Sequence, residues 1–532
     1  MTTPANDRYR VPGRRLNLTD VFLDRQLREG RADRTCLIVD HPTEGIGRYS
    51  YAQVAALANR YGHELSARGL GLEDRIFLIL EDGLPWVAAF FGALKIGCTT
   101  MFLNPQASDE ELAFYLEDSR CKGVVTTAAI AARLPTERPF LRTVLVVDDA
   151  PTQAAIAARP SELQAAPTYE EDFAIWLYSS GSTGAPKAAV HRAADFVYNT
   201  ERYPAEVLRM NERDVTLSVP KLFFGYATGS NLLFPFWFGG AAILFPDKPT
   251  PERLFQLVER HGATMLINVP TMIAQMAGHY EQADTKPKIH TLRLLTSAGE
   301  ALPPELYRRW KAATDVEILD GIGSAEMFHV FISARLGEVV PGSLGTLVSG
   351  YGAKIVDLDG RDVGTGEVGT LWVEGDSAAA FYWQRAEKSR DVLRGRWVVS
   401  SDQFLRDEKG HFWYRGRSDD LMKVAGRWLA PQEIEDALTQ HPAVLEAGAA
   451  PFERDGLTKP MAFVILKPGF TFSPHLEAEL KGHVAQKLQH YKAPRFIDAV
   501  NNLPRGDRDK LSRGELKKWA EKAALGRGSS VE

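Results

Sequence analysis

The segment Tyr178-Ser179-Ser180-Gly181-Ser182-Thr183-Gly184-Ala185-Pro186-Lys187 follows directly on the apolar run AIWL. Small residues let backbone N–H groups and hydroxyls come close to a polyphosphate, and Lys187 adds positive charge at the end of the run. The composition reads as a nucleotide-phosphate loop. It is not the G-x-x-x-x-G-K-[ST] pattern, because Ala188 follows the lysine and the glycines are spaced differently. Taken alone, the segment has a flexible Ser/Gly turn beside a strand as its lesser reading. Other residues with chemical potential are Glu326 in DGIGSAE, Asp402 in SDQF, Arg417 in GRSDD and Lys510 in RGDRDK. Each has an ordinary reading as well: a solvated surface glutamate, a turn aspartate before FLRDEKGHFWY, a charged surface run.

The elements that must position these residues are legible as alternation. Apolar runs at 76–80 (IFLIL), 123–127 (GVVTT), 143–147 (TVLVV) and 174–178 (AIWLY) alternate with helical patterns such as SDEELAFYLEDSR. This predicts an α/β protein with parallel sheets covered by helices on both faces. Between about 128 and 172, two Ala/Pro-rich segments read as surface helices and linkers flanking one strand. Beyond Arg417 the elements become shorter and more charged, with helices predicted at PQEIEDALTQH and LEAELKGHVAQKLQ. A small C-terminal domain is therefore expected after a large one.

At 532 residues the chain has room for a large core and at least one further folding unit. A net charge of -5 with 25% charged residues argues against a nucleic-acid partner. Cys36, Cys98 and Cys121 are widely separated and contain no C-x-x-C pair, so neither a disulfide framework nor a zinc site is indicated, and a cytoplasmic location fits. The polar opening MTTPANDRYRVPGRR lacks the apolar core of a secretory signal. The uncharged stretch 222–246 is long enough to cross a bilayer, yet Gly225, Gly229, Ser230, Asn231, Pro235, Gly239 and Gly240 break it into a loop, a short buried helix and a strand. No membrane association is expected.

The run S-S-G-S-T-G-x-P-K resembles the phosphate loop of the acyl- and aryl-CoA synthetases, luciferases and peptide-synthetase adenylation domains. KLFFGYATG (221–229), SAGEALP (297–303), DGIGSAE (320–326), SDQF (401–404), GRSDDLMKVAG (416–426) and Lys510 follow in the order of that superfamily, across nearly the whole chain. Their wording looks closest to benzoate-CoA ligases. The resemblance implies a large AMP- and acyl-binding domain over 1–418, with a barrel-like subdomain, and a small mobile α+β domain over 419–532. It implies joining of a carboxylic acid to ATP, then displacement of AMP by the thiol of CoA. Ser179, Ser180, Gly181, Ser182, Thr183, Gly184 and Lys187 would hold phosphates, and Glu326 would help bind Mg2+. Gly299, Glu300, Ala301, Asp320 and Ile322 would surround adenine; Asp402 and Arg417 would hold the ribose. Asp419 matches the hinge, Gly426 the pantetheine tunnel, and Lys510 the lysine offered to the adenylation transition state. Tyr226, Ala227, Gly229, Met327 and His329 would line a pocket whose apolar walls suit an aromatic or bulky cyclic acid. His329 reads equally as a packed core histidine.

Three departures from the family pattern fall on parts that serve ATP. Ala188 stands where a glycine is usual, which predicts a methyl group intruding beside the phosphate loop. Ala325 replaces a threonine before the glutamate. Asp507 and Asp509 flank the approach to Lys510, where a carboxylate could pair with the lysine or repel a triphosphate. Loss of one hydrogen bond to a charged group costs about 1.5–3 kcal/mol, so adenylation could be weakened and the acyl-AMP supplied by a partner adenylating enzyme. Compensated drift is the alternative. Loading of a carrier protein, a luciferase-like oxygenase and a non-catalytic binding protein are the other functions the same residues allow.

Overall fold

The computed structural model describes residues 13–181, 184–357, 359–417, 420, 422–424, 427–454, 457–505 and 511–526. Two large sheets dominate. A seven-stranded sheet runs in the order Phe381–Tyr382, Gly184–Arg192, Phe173–Gly181, Thr99–Phe102, Arg75–Ile79, Gly123–Thr126, Thr143–Val146, parallel except at the end carrying the first two strands. The four strands expected from apolar runs lie within it. A nine-stranded sheet has a parallel centre that includes Leu294–Ser297 and Glu317–Gly323, with antiparallel strands at both edges. A five-stranded antiparallel sheet built on Gly369–Glu374 and Trp397–Arg406 gives the third layer. The fold is the α/β architecture expected.

The helices start where the sequence places caps. Ser108 accepts from the backbone of Glu111, whose carboxylate returns to the Ser108 N–H, opening the helix Asp109–Ser119. The helix Leu84–Lys95 is buried on nearly every side, because it lies between the two large sheets. Trp86 meets Phe102 of the seven-stranded sheet at 5.1 Å, and Phe91 meets Phe236, just ahead of a strand of the nine-stranded sheet, at 5.4 Å. Such pairs contribute about 0.5–1.5 kcal/mol each beyond their buried area, and they fix the spacing of the sheets. The stretch 222–246 breaks as expected, into short turns of helix over Gly225–Thr228, Gly229–Leu233 and Phe234–Phe238 and the buried strand Ala241–Leu244. Among the described residues, no helix is long and apolar enough to cross a membrane.

Beyond Met422, the helices Pro431–Thr439 and Pro474–Lys487 pack on a three-stranded sheet of Val444–Arg454, Leu457–Leu466 and Phe496–Ala499 around a core of their own. Both helices coincide with the segments expected.

The turn that carries Glu326 depends on Gly323. The register of the antiparallel pair shifts between Ile322 and Gly323, and a Cβ at 323 would sit 2.5 Å from the His329 carbonyl oxygen and 2.8 Å from the Val330 nitrogen. Those neighbours are backbone and cannot rotate aside. Gly323→Ala is expected to lower stability by about 1–3 kcal/mol, read from urea unfolding, and to displace the Glu326 turn.

Candidate active site

The phosphate segment is the tip of a β-hairpin. Strand Phe173–Gly181 returns antiparallel as Gly184–Arg192, with Ser179 opposite Lys187 and Gly181 opposite Gly184. The Lys187 ammonium lies 4.1 Å from the Tyr382 ring centroid and donates to the Tyr382 hydroxyl oxygen at 2.7 Å. That hydroxyl donates to Glu326 Oε1 at 2.5 Å, and Lys187 Nζ stands 3.4 Å from the same oxygen. Burial works against charge on Glu326, but the Lys187 ammonium and the Tyr382 hydroxyl outweigh it and hold the carboxyl below its ordinary value. On Lys187 burial prevails and draws the ammonium below its ordinary value, with Glu326 opposing.

Further bonds tie this centre to both sheets. The Glu326 carbonyl accepts from the Ala379 N–H at 2.8 Å, and the Met327 carbonyl accepts from the Ser377 hydroxyl at 2.9 Å. The same segment returns to the hairpin through Ala380 N–H to the Val190 carbonyl (2.9 Å) and Trp383 N–H to the Ala188 carbonyl (3.0 Å). His191, fully buried, faces the Asp195 carboxylate at 2.9 Å through Nδ1 and the Ala325 carbonyl at 2.6 Å through Nε2.

Asp402 and Arg417 are cross-strand neighbours in the antiparallel sheet, and Arg417 also binds the Ser401 hydroxyl. The positive charge of Arg417 reaches Lys187 and helps depress it. Buried Ser179 Oγ and Arg417 Nε have no hydrogen-bond partner among the described residues. Gly299, Glu300 and Ala301 follow the strand Leu294–Ser297, whose Ser297 pairs in register with Asp320; Ile322 lies two residues on. Both segments leave the carboxyl ends of adjacent parallel strands, where α/β sheets place ligand sites. Gly299 has φ +93°, and Glu300 accepts from Thr271 Oγ1 at 3.2 Å.

The residues expected around the acid also meet. His329 Nε2 donates to the Tyr226 carbonyl at 3.1 Å and lies 2.9 Å from Ser230 Oγ, and the His329 N–H donates to the Met327 carbonyl at 2.8 Å. A Cβ on Gly229 would sit 2.4 Å from His329 Cδ2, so only glycine allows the ring there. Ala227 and Met327 are fully buried. Burial takes the His329 imidazolium down to about 3, so the ring is neutral at physiological pH. It is a histidine packed against Tyr226, Gly229 and Ser230.

Tyr382, His191 and Asp195 were not singled out by sequence. No spacing in the sequence links FYW at 381–383 to Glu326. One expectation is corrected: the Ala188 methyl does not intrude on the phosphate loop. Ala188 is fully buried in a cluster with Phe77, Met101, Trp176 and Val190, on the face of the strand away from Lys187. Ser182, Thr183, Asp419, Gly426 and Lys510, with Asp507 and Asp509, lie outside the described residues. The residues bracketing the last group, Arg505 and Leu511, pair with each other, and Arg505 Nη1 reaches Thr271 Oγ1 at 3.4 Å.

The AMP-binding enzyme family matches residues 23–383, and the AMP-binding enzyme C-terminal domain matches residues 433–510. The chain belongs to the AMP-binding enzyme family. This AMP-binding enzyme is 39% identical to a benzoate–CoA ligase of Thauera aromatica over 97% of its own length and 98% of the relative. It is 36% identical to a 4-hydroxybenzoate–CoA/benzoate–CoA ligase of Rhodopseudomonas palustris, over 94% of each chain. Among solved structures, the anthranilate CoA ligase AuaEII in complex with anthranoyl-AMP superposes with a TM-score of 0.90 at 34% identity, covering 98% of this chain and 100% of that one. A benzoate CoA ligase from Burkholderia xenovorans LB400 superposes with a TM-score of 0.85 at 35% identity, covering 94% and 100%.

The adjacent parallel strands Leu294–Ser297 and Glu317–Gly323 of this AMP-binding enzyme carry a pH-sensitive acid. Burial raises Asp320 from an ordinary 3.8 to about 7, against hydrogen bonds from Ser297 and from the Leu302 and Gly321 backbones. The folded protein thus takes up a proton that the unfolded chain releases, so this group's contribution to stability falls as pH rises from about 4 to about 7. Asp320→Asn is expected to flatten the stability profile over that window by up to about 1.4 kcal/mol per pH unit, checked by urea unfolding at a series of pH values.

Proposed function

We propose that this chain is an aryl-CoA ligase that activates an aromatic carboxylic acid with ATP and passes the acyl group from AMP to CoA. The observation that carries the reading is the Lys187–Tyr382–Glu326 centre beside Asp402 and Arg417, in a chain similar over nearly its whole length to benzoate–CoA ligases. In the first half-reaction a carboxylate oxygen attacks the α-phosphorus and pyrophosphate leaves. In the second, a thiolate attacks the acyl carbonyl and AMP leaves. Both reactants of the first step are anions, so neutralisation and alignment dominate its cost.

Lys187 sits near the hairpin tip as the phosphate cation, and Ser179, opposite it, offers a hydroxyl unpaired among the described residues. Asp402 accepts from ribose hydroxyls while the adjacent Arg417 adds positive charge. Gly299 through Ala301, Asp320 and Ile322 form the adenine face. Tyr226, Ala227, Gly229, Met327 and neutral His329 make an apolar wall for the ring of the acid. Among the described residues no cluster of His, Cys, Asp or Glu could hold a metal alone. A partly exposed Glu326 carboxylate does suit Mg2+, which typically takes one or two protein carboxylates and fills its shell from phosphate oxygens and water. Mg2+ supplies charge neutralisation of the polyphosphate. We divide the chain into a large unit at 1–418 and a small one at 419–532, with Asp419 as the hinge, Gly426 beside the thiol arm and Lys510 presented to the first half-reaction. Three free, buried cysteines support a reducing, cytoplasmic setting.

A supply of acyl-AMP from a separate adenylating enzyme loses one support with Ala188 turned into the core, while Ala325 still lacks a hydroxyl. Incubation with benzoate-type acids, ATP and Mg2+ is expected to release pyrophosphate and, with CoA, to yield the aryl-CoA ester. CoA-ester formation only from synthetic aroyl-AMP, without pyrophosphate release from acid and ATP, would establish the separate supplier instead. Glu326→Gln and Lys187→Ala are each expected to slow pyrophosphate release by about 100-fold while changing thioester formation from aroyl-AMP by less than about threefold.

A further inference from the structure

We infer that Tyr382 is a positioning residue for ATP: its hydroxyl, placed between the phosphate-loop lysine and Glu326, keeps the two opposite charges from collapsing onto each other before the nucleotide arrives. The inference rests on the function proposed above for Lys187 and Glu326. Its geometry stands independently. The hydroxyl accepts from Lys187 Nζ at 2.7 Å and donates to Glu326 Oε1 at 2.5 Å, while the direct separation of the charged groups is 3.4 Å. Remove that hydroxyl, and nothing among its described contacts prevents lysine and glutamate from tightening the partly buried 3.4 Å ion pair they already form. Such a pair competes with Mg2+ for the carboxylate and with triphosphate for the ammonium.

The tyrosine is held for this task by backbone, not by its own hydroxyl. Its main chain pairs with Ala189 of the hairpin, its N–H donates to Ser389 Oγ at 3.0 Å, and its ring packs against Ala189, Ala379 and Val392. Three positions earlier, the Ala379 N–H fixes the Glu326 carbonyl. The segment therefore binds the Glu326 turn at its main chain and its side chain together, and takes its own position from the strand that carries Lys187. A buried aromatic serving only the core would need no hydroxyl at this point. Burial and the neighbouring carboxylate also push the hydroxyl far above neutral pH, so it remains a donor throughout the physiological range.

Tyr382→Phe removes one oxygen and leaves the ring, its packing and the backbone in place. Calorimetric titration of the full chain with Mg2+·ATP, in the absence of any acid, is expected to show binding weakened on the order of tenfold. With acid present, the KM for ATP in pyrophosphate release should rise by a similar factor. Thioester formation from synthetic aroyl-AMP and CoA, together with the melting temperature, should stay close to the parent protein. Unchanged or tighter Mg2+·ATP binding would overturn the inference. So would equal losses in both half-reactions accompanied by a lowered melting temperature, since that pattern belongs to a purely structural residue. If the parent protein binds Mg2+·ATP but turns over no aromatic acid, the proposed substrate fails, and the titration still decides the role of Tyr382.

Discussion

Two opposite charges from two different sheets must be held within a few ångströms of each other without neutralising each other's use. Lys187 comes from the hairpin at the edge of the seven-stranded sheet, and Glu326 from a turn at the edge of the nine-stranded one. Their separation is therefore a property of how the sheets are stacked. The buried helix Leu84–Lys95 and its aromatic contacts to Phe102 and Phe236 set that stacking from the inside. The segment 377–383 and the His191–Asp195 pair set it from the outside. A polar centre at the seam between two apolar layers is costly unless every group has a partner. That requirement explains why backbone carbonyls of Ala325, Glu326 and Met327 are all engaged by groups from elsewhere in the chain.

Much of this was legible in the sequence because the sequence signals are local. Apolar runs of four or five residues gave the strands of the seven-stranded sheet, a Ser-x-x-Glu box opened the helix Asp109–Ser119, and a cluster of glycines broke the uncharged stretch 222–246. The candidate site residues also fall together in space where described: Asp402 faces Arg417, Ser297 pairs with Asp320, and Tyr226, Gly229 and Met327 surround His329. What the sequence hid was long-range. Tyr382 lies 56 residues from Glu326 and 195 from Lys187, and nothing in FYWQ announces a hydroxyl with two charged partners. His191 and Asp195 are close in sequence, but their target, the Ala325 carbonyl, is a backbone atom without residue identity. The hairpin form of the phosphate segment was hidden as well, because its glycines suggest only a loop.

The Ala188 position shows how a departure from a motif changes meaning once its direction is known. On a strand, successive side chains point to opposite faces. Lys187 turns toward Tyr382 and Glu326, so Ala188 must face the core, where a methyl among Phe77, Trp176 and Val190 adds apolar contact. Counting departures from a pattern treats every position as if it faced the substrate, whereas alternation removes half of them from consideration. Ala325 survives that filter differently. Its carbonyl is already used by His191, so what the residue contributes to the site is main chain. The missing side-chain hydroxyl then matters only to the extent that neighbours fail to supply one. Ser179 Oγ, opposite Lys187 across the hairpin, is buried and unpaired among the described residues. Hydroxyl and cationic groups are thus present at the centre, carried by residues other than the one the pattern leads a reader to inspect.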